Sequence, residues 1–236
     1  MKTDICFSPA LYPCYADNNA ERIVIVVDIF RATTTMCAAL KNGARSIIPV
    51  ASIEEALAYK EKGFPVGAER NVRRCGFADF GNSPFDYTPE KVAGKDIVFT
   101  TTNGTQAIEA ASDSHTLIIG AFSNISAVAD FCIAAQKDVL VLCAGWNNRF
   151  NIEDTLYAGA VAKRLLDKGY TYASDAVEIA LAMWRDATPG LRNYINHTEH
   201  IKRLGANNLQ DSVEYCLTED TVNLVPIYDK NKKNIY

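Results

Sequence analysis

Hydrophobic residues fall along this chain in short unbroken runs, separated by polar turns and by stretches with helical spacing. The clearest run is Ile23-Val24-Ile25-Val26-Val27. Five branched apolar residues in succession predict a strand buried on both faces, the kind found inside a parallel sheet. Shorter runs at 2–7, 47–50, 96–100, 116–119 and 138–142 predict further strands. Pro49 puts the 47–50 strand at an edge, or the proline at a strand end, because proline gives no ladder hydrogen bond. Helices are predicted over 33–42, from Ser52 to Gly63, after Thr105 to about 111, and over 123–135. Gly43 and Gly63 serve as C-caps, and Ser52-Ile53-Glu54-Glu55 reads as a capping box. Asp17-Asn18-Asn19 reads as a polar turn, and the stretch after Arg70 as a long loop running to Pro89.

The order strand, threonine-rich turn, helix, strand, Ser-capped helix, strand occurs twice, over 23–70 and 96–145. It predicts two βαβαβ units sharing one sheet, with right-handed crossovers that bring both threonine turns to the same edge. The last third reads as helical: 152–167 capped by Asn151 and ended by Gly169, then a helix from Ser174 to 186, then 193–204. A final strand is expected at 222–228 and a frayed, charged tail over 229–236. The predicted fold class is α/β, a three-layer αβα arrangement with a mostly parallel or mixed sheet. No linker divides residues 1–236, so one domain is expected.

Composition changes this picture little. The 48% apolar and 22% charged content of the 236 residues is that of an ordinary globular protein. A net charge of -4 argues against nucleic acid as a partner, although a few clustered arginines still suffice for a small polyanion. No apolar run reaches membrane-spanning length and residues 1–4 lack a signal-peptide core, so a cytoplasmic protein with no membrane partner is expected. Seven cysteines without a C-x-x-C pair predict free thiols. A homo-oligomer is compatible with all of this.

Candidate chemistry sits at the strand ends, where open α/β sheets bind ligands. Asp28 follows the apolar run directly, at the rim of the core, where burial or a cation tunes an acid. Its plain role is a turn or N-cap acid, but Arg31 beside Thr33-Thr34-Thr35 suits recognition of a phosphate. Thr100-Thr101-Thr102-Asn103-Gly104-Thr105 forms the matching cluster, and Asn103-Gly104 permits close backbone approach to a ligand. Glu69 is a candidate base or metal ligand and Arg70 a candidate anion ligand, with a mutual salt bridge as the plain alternative. Glu153 and Asp154 open a helix, which complements its dipole and equally suits Mg²⁺. His197 and His200, one helical turn apart in the helix expected over 193–204, could ligate a metal, with two polar residues on a helix face as the plain alternative. Cys143 and Arg149 have the C-x5-R spacing of cysteine-dependent phosphatases, against which stand the bulk of Trp146 and the lack of a histidine before the cysteine; a structural buried thiol is the plain alternative.

Taken in order, Asp28-Ile29-Phe30-Arg31-Ala32-Thr33-Thr34-Thr35, Gly81-Asn82-Ser83-Pro84, Thr100-Thr101-Thr102-Asn103-Gly104-Thr105, Cys143-Ala144-Gly145 and Glu153-Asp154-Thr155-Leu156-Tyr157-Ala158-Gly159 resemble the 2-phosphosulfolactate phosphatase family. The likeness runs from about residue 23 to 226. It implies an α/β fold of its own class and a Mg²⁺-dependent phosphatase that releases 3-sulfolactate and phosphate from 2-phosphosulfolactate, a step toward coenzyme M. The chain departs from the family's usual Gly-Glu-Arg followed by glycine, with Ala68 before Glu69 and Asn71-Val72-Arg73-Arg74 after Arg70.

The resemblance and the residues together give these expectations. Asp28, Arg31 and Glu69 are catalytic candidates. Thr33, Thr34, Arg70, Asn82, Ser83, Thr102, Asn103, Gly104, Thr105 and Arg149 are candidates for a small, polyanionic phosphorylated substrate. Glu69, Glu153 and Asp154 are candidates to hold Mg²⁺. Asp28 acts either as nucleophile, forming an aspartyl phosphate, or beside a metal-activated water. The alternatives are a cysteine phosphatase built on Cys143 and Arg149, and a binding module without turnover.

Overall fold

The computed structural model describes residues 1–15 and 21–236, so the turn expected at Asp17-Asn18-Asn19 lies outside the described residues. Strands β1 (Lys2–Cys6) and β2 (Ile23–Val27) are followed by α1 (Ala32–Lys41), β3 (Ser46–Pro49), α2 (Ile53–Glu61) and β4 (Val66–Arg70). A hairpin partner β5 (Arg73–Arg74) and the short α3 (Pro89–Val92) come next. The chain then runs through β6 (Asp96–Thr100), α4 (Gly104–Ala110), β7 (Thr116–Gly120), α5 (Ile125–Ala135), β8 (Val139–Cys143) and α6 (Ile152–Leu166). It continues with β9 (Thr171–Tyr172), α7 (Asp175–Ala187), α8 (Leu191–Ile195), α9 (Glu199–Ala206), α10 (Asp211–Leu217), β10 (Tyr228–Asp229) and β11 (Asn234–Ile235).

The strands form two sheets. One is parallel throughout, in the order β7-β2-β8-β1-β9. The other runs β10-β11-β3-β6-β4-β5, with β3, β6 and β4 parallel and the remaining pairs antiparallel. Every residue of β2 is buried, as its unbroken apolar run predicts. Ile23, Ile25 and Val27 pack toward α5, α6 and α7, while Val24 and Val26 pack toward α1 and α4. Helices thus cover both faces of the first sheet, giving the three αβα layers. The second sheet lies beyond α1 and α4, contributing Ile47, Ile97 and Phe99 to the shared core, and carries α2 on its far side.

The repeated pattern does not produce one shared sheet. Within 23–70, β2 belongs to the first sheet and β3 and β4 to the second; within 96–145, β6 belongs to the second and β7 and β8 to the first. The reason is the position of the crossover helices. Both α1 and α4 lie between the sheets, so each carries the chain from one to the other, in opposite directions. Helix α1 is buried along nearly its whole length, which its alanines and threonines permit. The hydroxyls of Thr33, Thr34 and Thr35 donate to the carbonyls of Asp28 (2.9 Å), Ile29 (3.1 Å) and Asn82 (3.1 Å), so burying them leaves no orphan.

The helix over 174–186 and the Ser52 cap are as expected, with Ser52 Oγ accepting from the Glu55 N–H at 3.1 Å. The helix expected over 193–204 is instead two, α8 and α9, with α10 following. Residues 222–227 form no continuous strand, only an isolated bridge from Ile227 to Ile118. The tail expected to fray is held by β10 and β11. Ile235 pairs with Ile47 and is fully buried, because β11 covers the edge that β3 would otherwise expose.

Candidate active site

The ends of β2, β4, β6 and β8 bring four carboxylates into one region. Asp28 is 5% exposed, Glu69 4%, Glu153 1% and Asp154 0%. Asp28 follows β2 directly; one carboxylate oxygen receives a long contact from the Ala32 N–H (3.5 Å), and Oδ2 has no hydrogen bond among the described residues. Burial pushes its carboxyl up to about 7, countered by His200 and reinforced by the negative charges of Glu69 and Glu153.

Asp154, in the first turn of α6, ties two strand ends together. Its Oδ1 accepts from the Ile29 N–H at 2.8 Å, and its Oδ2 from the Gly145 N–H at 3.1 Å and from Asn151 Nδ2 at 2.9 Å. Burial, with Asp28 and Glu153 close by, pushes its carboxyl well up against those hydrogen bonds. Glu153 Oε1 meets His200 Nδ1 at 2.6 Å and Asn151 Nδ2 at 3.2 Å. His200 is 4% exposed, wedged edge-on against Phe30 and tilted against Trp146, and its Nε2 is buried without a partner among the described residues. Glu69, at the end of β4, is held by the Val72 N–H and by Thr102, whose Oγ1 donates at 3.2 Å.

The second threonine turn closes the opposite wall. A Cβ at Gly104 would stand 2.6 Å from Ala32 Cβ and 2.9 Å from Asp28 Oδ2, so the two turns meet at van der Waals distance only because glycine is there. Gly104→Ala is therefore expected to cost about 1–3 kcal/mol of stability and to displace Asp28. Thermal melting and activity check this: a variant equal to the parent in both would mean that the turns do not pack this way.

With this geometry in view, comparison with known proteins is decisive. The 2-phosphosulpholactate phosphatase family model matches residues 9–231. The chain belongs to this family. Relatives named probable 2-phosphosulfolactate phosphatase include one from Thermotoga petrophila, 42% identical over 87% of this chain and 88% of the relative. Others are from Caldanaerobacter subterraneus, 34% identical over 87% of both chains, and Clostridium beijerinckii, 32% identical over 98% of both.

The blocks that carry the likeness to the 2-phosphosulpholactate phosphatases do not all serve one pocket. Thr33 and Thr34 are fully buried and their hydroxyls are spent on the turn itself, so neither faces a ligand. Thr105 mirrors Thr33: it accepts from the Thr101 N–H at 3.2 Å and donates back to the Thr101 carbonyl at 3.1 Å. Thr102, half-buried against Glu69, and Asn103, whose Oδ1 accepts from the Asn147 N–H at 2.9 Å, stay at the site. Arg70 is neither a free anion ligand nor a salt-bridge partner of the Glu69 carboxylate. Its guanidinium donates to the Glu69 carbonyl (2.7 Å), the Ala51 carbonyl (3.2 Å) and Thr100 Oγ1 (2.9 Å), bracing the second sheet. Arg31 makes no hydrogen bond to Asp28 among the described residues; it donates to the Val72 carbonyl and lines, with Asn82 and Ser83, a cavity that does not include Asp28.

Cys143 is unsuited to nucleophilic attack. It is fully buried, and burial, with Asp154 nearby, pushes its thiol well up rather than down. The following loop offers no cradle either, since the N–H groups of Gly145, Trp146, Asn147 and Arg149 donate to Asp154, Arg149, Asn103 and Trp146 respectively. Arg149 is exposed, on the rim of a cavity of about 420 Å³ shared with Trp146, Glu153, His200 and Arg203. His197 and His200 do not share a helix face; His197 precedes α9 and is exposed. The Glu153–His200 pair was not deducible from the sequence, because only the fold joins positions 47 residues apart.

Proposed function

We propose that this chain is a Mg²⁺-dependent phosphatase acting on 2-phosphosulfolactate, releasing 3-sulfolactate and inorganic phosphate in a reaction of the coenzyme M type. The observation that supports this most directly is the gathering of Asp28, Glu69, Glu153 and Asp154, all buried, with His200 as their sole ion-pair partner among the described residues. No three acidic, histidine or cysteine side chains among those residues form a ready-made metal cage. Mg²⁺ asks for less, since it takes one or two carboxylates and keeps several waters, so an all-oxygen acidic set fits it. Glu69 and Glu153 would hold the ion, and Asp154, whose oxygens are taken up by backbone amides, would position Glu153. When bound, Mg²⁺ supplies a positive charge that polarises the phosphoryl oxygens.

Asp28 takes the proton of the attacking water at Oδ2; a carboxyl near 7 is matched to that task at neutral pH. The water oxygen bonds to phosphorus as the bond from phosphorus to the C2 oxygen breaks, and the proton on Asp28 is then available to the departing oxygen. A second route, direct attack by Asp28, is favoured by the same unpartnered oxygen.

Phosphate release from 2-phosphosulfolactate tests the reading. Activity should vanish under EDTA, return with Mg²⁺, and persist in Cys143→Ser. Activity that survives full chelation and disappears in Cys143→Ser would replace this mechanism with a thiolate one. Recovery of intact substrate after hours with Mg²⁺ would leave a binding protein, and trapping of phosphorylated Asp28 would establish the direct route.

A further inference from the structure

Glu153 is held by only one of its two oxygens. Its Oε1 accepts from both His200 Nδ1, at 2.6 Å, and Asn151 Nδ2, at 3.2 Å, while Oε2 has no hydrogen bond among the described residues. A carboxylate only accepts, so the hydrogen between the two side chains sits on Nδ1 of the imidazole. The Asn151 amide is oriented by Asp154 as well, whose Oδ2 accepts from the same Nδ2 at 2.9 Å. One oxygen of Glu153 is thus pinned by two donors, and the other is left without a partner. Carboxylates that bind metals are themselves oriented by outer hydrogen bonds of this kind.

The imidazole is fixed in turn. Phe30, in the turn after β2, meets it edge-on with ring centres 5.6 Å apart, and Trp146, in the loop after β8, lies at 5.4 Å. The Arg203 guanidinium covers Trp146, 4.0 Å from its ring centre.

Helix α9 accounts for this arrangement. Thr198 caps it, with Oγ1 accepting from the Ile201 N–H at 3.4 Å, and Ile201 and Leu204 sink into the core. Residues 200, 203 and 207 then share another face, at i, i+3 and i+7. Each meets a different segment: His200 the start of α6, Arg203 the Trp146 loop, and Asn207 the hairpin of β4 and β5 that carries Glu69. Asn207 does so by accepting from Arg73 Nε at 2.7 Å.

We propose that His200 is a positioning residue, which holds Glu153 through Nδ1 so that Oε2 is free to bind Mg²⁺. This rests on the reading of Glu153 as a ligand of that ion. The competing role for His200 is packing alone, as a filler between Phe30 and Trp146. Conservative replacements separate the two. The side-chain nitrogen of asparagine takes the place of imidazole Nδ1, whereas that of glutamine takes the place of Nε2. Both lose the ring.

The test is calorimetric titration of the full chain with Mg²⁺, in the absence of substrate. His200→Gln should weaken Mg²⁺ binding about ten- to a hundredfold, and His200→Asn should stay close to the parent. Equal weakening in both would reduce His200 to packing and overturn the proposal, as would unchanged binding in both. Tighter binding in His200→Gln would mean that the imidazole competes with the ion for Glu153, and would overturn it too. Melting in EDTA checks that the variants fold. Arg203→Lys keeps the charge but loosens the cover on Trp146, and should weaken Mg²⁺ about two- to fivefold. It keeps the test open if both buried variants fail to fold, and unchanged binding there would then refute the proposal. The expected pattern without hydrolysis of any ester supports the role of His200 and leaves only the phosphatase reading to fall. No Mg²⁺ binding by the parent overturns the proposal together with the metal reading.

Discussion

Asp28→Asn is expected to lower turnover by about a hundred- to ten-thousandfold, the usual contribution of a positioned general base. In the metal-free protein the same change should raise stability, by an amount that depends on pH. The Asp28 carboxyl ionises near 7 when folded and near 3.8 when unfolded, so between those values the folded chain holds a proton that the unfolded chain has released. Stability is therefore lost as pH rises from about 4 to about 7, and the loss is complete above that. Asparagine cannot ionise. The melting temperature of Asp28→Asn in EDTA should exceed that of the parent by several degrees at pH 8, with the difference shrinking toward pH 4. A variant that keeps full activity would remove Asp28 from the mechanism. A melting difference independent of pH would show that the acid is not held in a charge-averse environment.

Asp154→Ala should have the largest effect on folding. The substitution strands the Ile29 and Gly145 N–H groups in the core and frees Asn151, at about 1–3 kcal/mol for each orphaned amide. At roughly 2–4 °C per kcal/mol for a chain of this size, melting should fall by about 5 to 20 °C. Asp154→Asn keeps one carbonyl acceptor and should lose about half as much. The comparison is made in EDTA and repeated with Mg²⁺. Should Asp154→Asn melt like the parent in EDTA and yet lose the stabilisation given by Mg²⁺, Asp154 would be a metal ligand and not the clamp described above.

The strands were legible because each is a short apolar run, and β2 in particular cannot be anything but a strand buried on two faces. What the runs do not encode is partnership. Val24 and Ile47 look alike in sequence, and only the placement of α1 between them sends their strands to different sheets. The site was legible where its residues lie at strand ends, as with Asp28 and Glu69. It was not legible where a side chain turns away from its neighbours: Arg31 is three residues from Asp28 and serves another cavity, and Arg70 adjoins Glu69 yet binds its carbonyl. His200 is visible in the sequence as a possible ligand, but its pairing with Glu153 is not, because that depends on where the fold sets α9 against the start of α6.

The pairing of β1 with β8 and of β11 with β3 bears on how the chain reaches this state. Strand β1 leaves the ribosome long before β8, and β3 long before β11, so neither sheet can be finished as its strands emerge. Contacts between such distant segments must close large loops before they are rewarded, which slows folding and leaves the apolar edges of β2 and β3 uncovered meanwhile. Synthesis at high rate should therefore favour association between nascent chains through those edges.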